Sequence, residues 1–408
     1  MTTLNLNSYQ INKNNKKVTY IEGIRGLAAF MVVIYHYLLA FYPAHANGRL
    51  EEVHLNLLEI LYFKSPFLFL TNGQLFVLIF FILSGYVLSK KFMLDKDMDY
   101  LASAFIRRLP RLYIPVAVSL IISYIILVLS LDYNSDASII TKSTWLESLK
   151  GDKLFITFLK NILISAMFLG NNSYNTVLWS ITIEFYGSIL VFGSLALIYK
   201  SRNSVFILLF ILFILLFHEK YEYSAFILGI LLNYSDYIKF KNKNLNKLSI
   251  IFTFFFGLLL GGFPHVYHTS TPTISGTFFE FLNYNFIIER SGLINEIGAF
   301  LVIFSIQKWA VMREFFSGRF FLYLGKISFS MYLIHVLILK SFSSYLFIYL
   351  QRIFSYNWSF LFQCIPSFLL IIVISHMMTN YVDEKSILLS KLFYKKYFLN
   401  DNSVLSKK

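Results

Sequence analysis

IEGIRGLAAFMVVIYHYLLAF, residues 21–41, reads as a membrane-crossing helix, yet it carries two ionisable side chains, Arg25 and His36. About twenty apolar residues at 1.5 Å rise each match the hydrocarbon thickness of a bilayer. Charged or titratable groups at that depth cost a few kcal/mol or more, and they survive mainly where they face a protein interior, a water-filled cavity or a ligand path. At about 100° per residue, the eleven steps from Arg25 to His36 make roughly three turns, so the pair shares one helix face about 16 Å apart. A catalytic site is therefore the leading expectation.

The rest of the chain agrees with a membrane setting. Its 408 residues are 57% hydrophobic and only 14% charged, with a mean hydropathy of +0.62, whereas soluble domains are near a quarter charged. The expected fold is an all-α polytopic transmembrane helix bundle of about ten spans. Apolar runs place them near 26–43, 74–90, 112–131, 178–199, 203–217, 222–235, 248–263, 292–310, 329–349 and 359–379. The runs at 203–217 and 222–235 are short enough to form a tight or partly re-entrant hairpin instead. FITFLKNILISAMFLG, 155–170, includes Lys160 and Asn161 and reads as interfacial or re-entrant.

Lys and Arg crowd SKKFMLDKDMDYLASAFIRRLPRLYIP (89–115), KFKNKNLNK (239–247) and the C-terminal tail, while HANGRLEEVHLNLLEI (45–60) is acidic to neutral. The positive-inside bias then predicts that both termini are cytoplasmic. It also accounts for the net charge of +14 without nucleic acid. The expected organisation is a cytoplasmic N-terminal tail at 1–20, one transmembrane domain at 21–382 and a cytoplasmic basic tail at 383–408. No cleavable signal precedes the first span, which should act as its own. A lone cysteine, Cys364, leaves no intrachain disulfide and no cysteine-based metal site.

Several residues are candidates for chemistry. Glu184 in LWSITIEFYGSIL falls at the same expected depth as His36, and a carboxylate paired with an imidazole is a minimal kit for activating a hydroxyl. Each also has a structural reading, as a hydrogen-bonded packing group or an interhelical clamp. Arg107, Arg108 and Arg111 cluster at the expected inner mouth near Arg25, where a planar guanidinium suits phosphate. Positive-inside anchoring explains the same cluster. Ser84 and Gly85 read as helix packing or a ligand passage. Ser328, Ser330, Tyr332 and His335 stud a late helix that lines the same tunnel or simply packs. Asn171, Asn172, Ser173 and Tyr174 are candidate sugar contacts, with Trp179 a stacking platform, and all are equally ordinary loop residues. His265 and His268 make too weak a pair for a metal site, and none is expected. His376, Asp383 and Glu384 read as boundary residues. No phosphate-binding loop, dinucleotide fingerprint, serine elbow or zinc-protease motif occurs.

Four stretches, IRGLAAFMVVIYHY, FFILSGYVL, RRLPRLYIP and LWSITIEFY, resemble the acyltransferase 3 family of integral-membrane O-acyltransferases, and ISFSMYLIH is similar to that family's late Ser/Tyr/His helix. The resemblance implies transfer of an acyl group, commonly acetyl from cytoplasmic acetyl-CoA, to a hydroxyl of a cell-surface or lipid-linked carbohydrate. It implies His36 as catalytic base, Glu184 in the membrane active site, and Arg25, Arg108 and Arg111 near the donor. No permanently bound cofactor is implied, since acyl-CoA is a substrate. The implied setting is the bacterial cytoplasmic membrane, with lipid as neighbour, no nucleic acid partner and an oligomeric state left open. Some family members add a soluble SGNH-type domain; this chain is expected to lack it, so that any acyl relay of that kind would need a separate partner. The competing reading is a glycan transporter or flippase in which His36 and Glu184 relay protons without covalent chemistry.

Overall fold

The computed structural model describes residues 18–149, 151–235, 243–264, 274–282, 284 and 290–398. Among these residues ten helices form the bundle: α1 (Thr19–Phe41), α2 (Gly73–Asp95), α3 (Met98–Val128), α4 (Leu178–Ile198), α5 (Ser204–Phe217), α6 (Tyr221–Ser235), α7 (Lys243–Gly261), α8 (Ser291–Lys308), α9 (Arg319–Leu350) and α10 (Tyr356–Phe398). Among the described residues there is no strand. Helix is what apolar sequence must adopt in lipid, because every backbone polar group then bonds within its own segment.

Six of these helices, α1, α2, α3, α4, α9 and α10, are long and apolar enough to cross a membrane, and α8 joins them if it is counted with Ala310–Phe316, from which it is bent by 99°. The chain is thus an integral membrane protein. The expected spans at 203–217 and 222–235 become α5 and α6, of 14 and 15 residues. At 1.5 Å per residue both fall well short of a 30 Å core, and they pack on each other as a hairpin.

Glycine sets how closely the central helices cross. On α1, Gly26 lies against the Leu324–Gly325 backbone of α9, and Gly325 in turn lies against the Glu22 carbonyl. A Cβ at either position would collide with backbone, which cannot swing aside. The same device joins α2 to α6 through Gly85 and Gly229. α1 and α9 consequently run side by side along their length, and residues eleven positions beyond Arg25 on one helix meet those ten positions beyond Gly325 on the other.

The segment 155–170 enters and turns back. Phe158 stacks on Tyr124, with ring centroids 4.2 Å apart, Ile162 accepts from Tyr113 (3.0 Å), and the Ala166 carbonyl accepts from Thr182 on α4 (2.9 Å). Gly170 then adopts φ +70°, the left-handed region open to glycine, and Tyr174 returns to donate to the Asp152 carbonyl (2.7 Å). The segment therefore turns back on itself against α3 and α4.

The stretch from 383, expected as a tail, continues α10 as helix to Phe398. Its dock on α3 has a local cause. Pro115 lacks an N–H, which frees the Arg111 carbonyl four residues earlier, and Ser386 Oγ shares its proton between that carbonyl (3.2 Å) and the Asp383 carbonyl of its own helix (2.8 Å). Small Ser386 and Ser390 lie buried at this contact.

Over the far end of α1 sits a cap made of residues 42–72 and 134–149. Ser143 Oγ donates to the Leu39 carbonyl (2.8 Å), and His54 Nε2 donates to the Thr141 carbonyl (2.8 Å). His45 is buried, its Nδ1 on the Tyr42 carbonyl (2.7 Å) and its Nε2 without a partner. Burial pushes the His45 imidazole down to about 4, and burial also lowers His54.

Two outcomes follow from this architecture. Gly325→Leu should force α1 and α9 apart and lower stability by roughly 1–3 kcal/mol or more, seen as an earlier thermal unfolding midpoint in detergent; an unchanged midpoint would show that the crossing is slack. Because the fold holds His45 neutral, the folded state binds fewer protons than the unfolded one between the ordinary histidine value and about 4. Cap stability should therefore fall as pH drops through that window, by up to roughly 3 kcal/mol. Hydrogen exchange of residues 44–64 against pH measures it, and His45→Gln should flatten the dependence.

Candidate active site

A cavity of about 690 Å³ lies between α1, α2, α3, α4, α9 and α10, a size typical of small-molecule sites. Its wall includes Thr19 and Glu22 at the start of α1, and Asp383 and Glu384 on α10, so one mouth gathers both of these regions. Along α2 the wall runs from Leu88 to Val77, eleven residues or about 16 Å. The deep end is closed by Val77, Phe80, Ser180 and Tyr332.

Four cations and four acids line it: Arg25, Arg108, Arg111 and Lys326 against Glu22, Glu184, Asp383 and Glu384. Three pairs are made. Arg25 meets Glu22 at 3.2 Å, Lys326 meets Glu384 at 3.2 Å, and Arg108 is bonded directly to Glu184. Arg111 enters no ion pair among the described residues, and the strongest attraction it feels is from Asp383. Arg108 also keeps a buried Nε without a partner.

The expected pairing of His36 with Glu184 is not what forms. Glu184 Oε1 accepts from Ser84 (2.8 Å) as well as from Arg108, because α4 begins below the far end of the bundle and six residues carry Glu184 down to the level of the arginines. His36 Nδ1 instead lies 2.9 Å from His335 Nε2 on α9. His335 Nδ1 lies 3.1 Å from the Met331 carbonyl, which can only accept, so a neutral His335 carries its proton on Nδ1 and has a bare Nε2. His36 must then donate from Nδ1 and present the lone pair of its own Nε2. The two-histidine chain thus fixes a tautomer suited to a base, the task foreseen for a carboxylate.

His335 is fully buried, whereas His36 is half-buried. Trp145 lies nearly parallel to the His36 ring, with centroids 5.0 Å apart and planes 14° from coplanar, and Tyr35 stands 5.3 Å away. Tyr332, one turn before His335, separates the pair from the cavity; the Tyr332 and His335 centroids are 5.8 Å apart. Site residues therefore fall into two groups, an arginine-lined mouth and a histidine pair beyond the closed end.

Other expectations are placed as follows. Ser84 and Tyr332 line the cavity. Trp179 packs half-buried against the core, and Tyr174 is buried rather than facing outward, its carbonyl taken by Ser123 and Lys340. Asn171, Asn172 and Ser173 are exposed. His376 lies at an exposed contact with Asn380 (2.9 Å). His265 and His268 lie outside the described residues. Nothing in the sequence marks Trp145, which sits in a polar segment, and Asp383 and Glu384 read there as boundary residues. Only their spacing beyond a long apolar run, continuing the helical period of α10, held a clue.

An all-helical membrane protein with an ionisable cavity leading toward a buried histidine pair is the class that this geometry defines. The chain belongs to the acyltransferase 3 family, whose acyltransferase domain matches residues 18–376. No curated protein and no solved structure matches it. Family membership assigns acyltransferase chemistry in a membrane setting.

The Arg108–Glu184 pair is nearly buried, with side-chain exposures of 9% and 17%. Glu184→Ala should strand a buried cation and cost about 3–5 kcal/mol, while Glu184→Leu combined with Arg108→Met should recover most of that loss. Thermal unfolding of the single and double variants measures it, and equal losses in both would show no coupling.

Proposed function

We propose that this protein moves an acyl group, acetyl in the first instance, from acyl-CoA to a hydroxyl of a cell-surface or lipid-linked carbohydrate, working in the bacterial cytoplasmic membrane with both of its termini in the cytoplasm. The observation that carries this reading is the cavity that begins among Arg25, Arg108 and Arg111 and ends one helical turn short of the His36–His335 pair.

The donor's phosphates belong at the mouth. Arg111, with no ion pair of its own among the described residues, takes a phosphate by its bidentate fork, and Arg108 lies one turn earlier on the same helix, held by Glu184. Arg25 and Lys326 add positive potential, each tempered by its own acid. The pantetheine arm follows the apolar wall of Val77, Phe80, Phe81 and Leu88 and delivers the thioester to the deep end.

The acceptor approaches His36 from the capped end. His36 Nε2 takes the hydroxyl proton as the acceptor oxygen forms its bond to the thioester carbon. His335 Nε2, accepting from His36 Nδ1, supports the imidazolium so formed. The C–S bond then breaks, and the proton held on His36 passes to the thiolate. The ester and free CoA are the products.

Membranes carrying wild-type protein should transfer label from radiolabelled acetyl-CoA to extracted envelope glycan. His36→Ala at matched abundance should lower that transfer at least 100-fold. Equal labelling by the two would remove His36 from the chemistry, and labelling by neither would remove acetyl-CoA as donor and favour transport.

A further inference from the structure

Tyr332 closes the deep end of the cavity and stands next to the histidine pair on the same helix. Its hydroxyl lies 2.7 Å from Ser180 Oγ. The direction of that bond is fixed by its surroundings. Ser180 Oγ lies 2.9 Å from the Val177 carbonyl, which can only accept, so the single serine proton is spent there. Tyr332 must therefore be the donor to Ser180.

The other serine hydroxyls of the wall are committed to strong acceptors. Ser84 donates to Glu184 (2.8 Å), and Ser328 donates to the Gly325 carbonyl (2.9 Å). Tyr332 gives its proton chiefly to the Ser180 hydroxyl oxygen (2.7 Å), with the Val177 carbonyl a longer contact at 3.5 Å, and a hydroxyl is a partner that it can exchange for a ligand carbonyl at little cost. The arginines lie toward the mouth, away from where a thioester would sit. Phe80, whose ring centroid is 6.1 Å from that of Tyr332, makes the surroundings apolar, which strengthens any hydrogen bond formed there.

Resting on the acyl-CoA reading above, we propose that Tyr332 is a further catalytic residue, which donates its phenolic hydrogen bond to the carbonyl oxygen of the bound thioester. When the acceptor oxygen bonds to the carbonyl carbon, the C=O electron pair moves onto that oxygen, and Tyr332 O–H stabilises the resulting oxyanion. Collapse restores the carbonyl and breaks the C–S bond, and the proton taken up by His36 leaves on the thiolate. No further reactant is required. The Tyr332 and His335 ring centroids are 5.8 Å apart and His36 is bonded to His335, which sets the oxyanion donor and the base at the same end of the cavity.

Tyr332→Phe keeps the ring and removes only the donor. With acetyl-CoA and extracted envelope glycan, it should lower kcat about 100- to 1,000-fold while the KM for acetyl-CoA changes less than about threefold, because the ground-state carbonyl is a weaker acceptor than the oxyanion. An isotope-edited infrared spectrum supplies a readout that needs no acceptor. The carbonyl stretch of [1-13C]acetyl-CoA bound to solubilised wild-type protein should lie below that of the free thioester, and Tyr332→Phe should return it toward the free position. If wild type transfers label but Tyr332→Phe transfers equally, or if the carbonyl band does not move, the role of Tyr332 is overturned and the acyl-CoA reading stands. If wild type neither transfers label nor shows a bound carbonyl band, the acyl-CoA reading falls and this role falls with it.

Discussion

The close crossing of α1 and α9 governs where the histidines lie. Glycines at 26 and 325 let the two backbones touch, and the contact then propagates along both helices until His36 and His335 come within 2.9 Å. In lipid there is no hydrophobic gain from bringing one apolar helix against another, so close backbone packing and interhelical hydrogen bonds must hold the pair together. Both are present here. A bulkier pair of residues at the crossing would keep two apolar helices and lose the imidazole pair.

A second constraint is electrostatic. Charges inside an apolar bundle are tolerated only when partnered or when water reaches them, and the cavity satisfies that condition almost completely. Arg25, Lys326 and Arg108 each have an acid in contact, which leaves Arg111 as the wall cation outside any ion pair among the described residues. The wall charge left outside an ion pair is then one guanidinium set against a balanced background, rather than a diffuse basic patch. The proline-freed carbonyl that faces Ser386 of the α10 extension belongs to this same Arg111, so the backbone that carries this guanidinium lies against a packed helix.

The class of protein, its helices and several of the polar cavity residues were legible in the sequence because their signals are local. Apolar runs near twenty residues long name their own state, and Arg25, Arg108, Arg111, Ser84 and Glu184 stand out as polar groups interrupting or edging such runs. All five line one cavity. Pairing among them was not legible, since it depends on relative depth. Glu184 sits six residues into α4 and was expected level with His36; α4 starts partway down the bundle, because the turned-back segment 155–170 and its return past Tyr174 bring Asn175 to the Leu333 carbonyl before α4 begins.

Sequence by itself determined that this chain is an all-helical integral membrane protein of the acyltransferase 3 family, with ionisable side chains placed where lipid would not tolerate them alone. Periodicity and hydropathy fix those features, and they act over a few turns of one helix. Tertiary structure decided which of those side chains meet. It exchanged an expected His–Glu pair for His36 with His335, assigned Glu184 to Arg108, brought Trp145 from a polar segment onto the imidazole and turned a tail into a cavity wall. Helix offset, close glycine crossings and a backbone carbonyl freed by proline set these outcomes, and each depends on contacts between segments far apart in the chain.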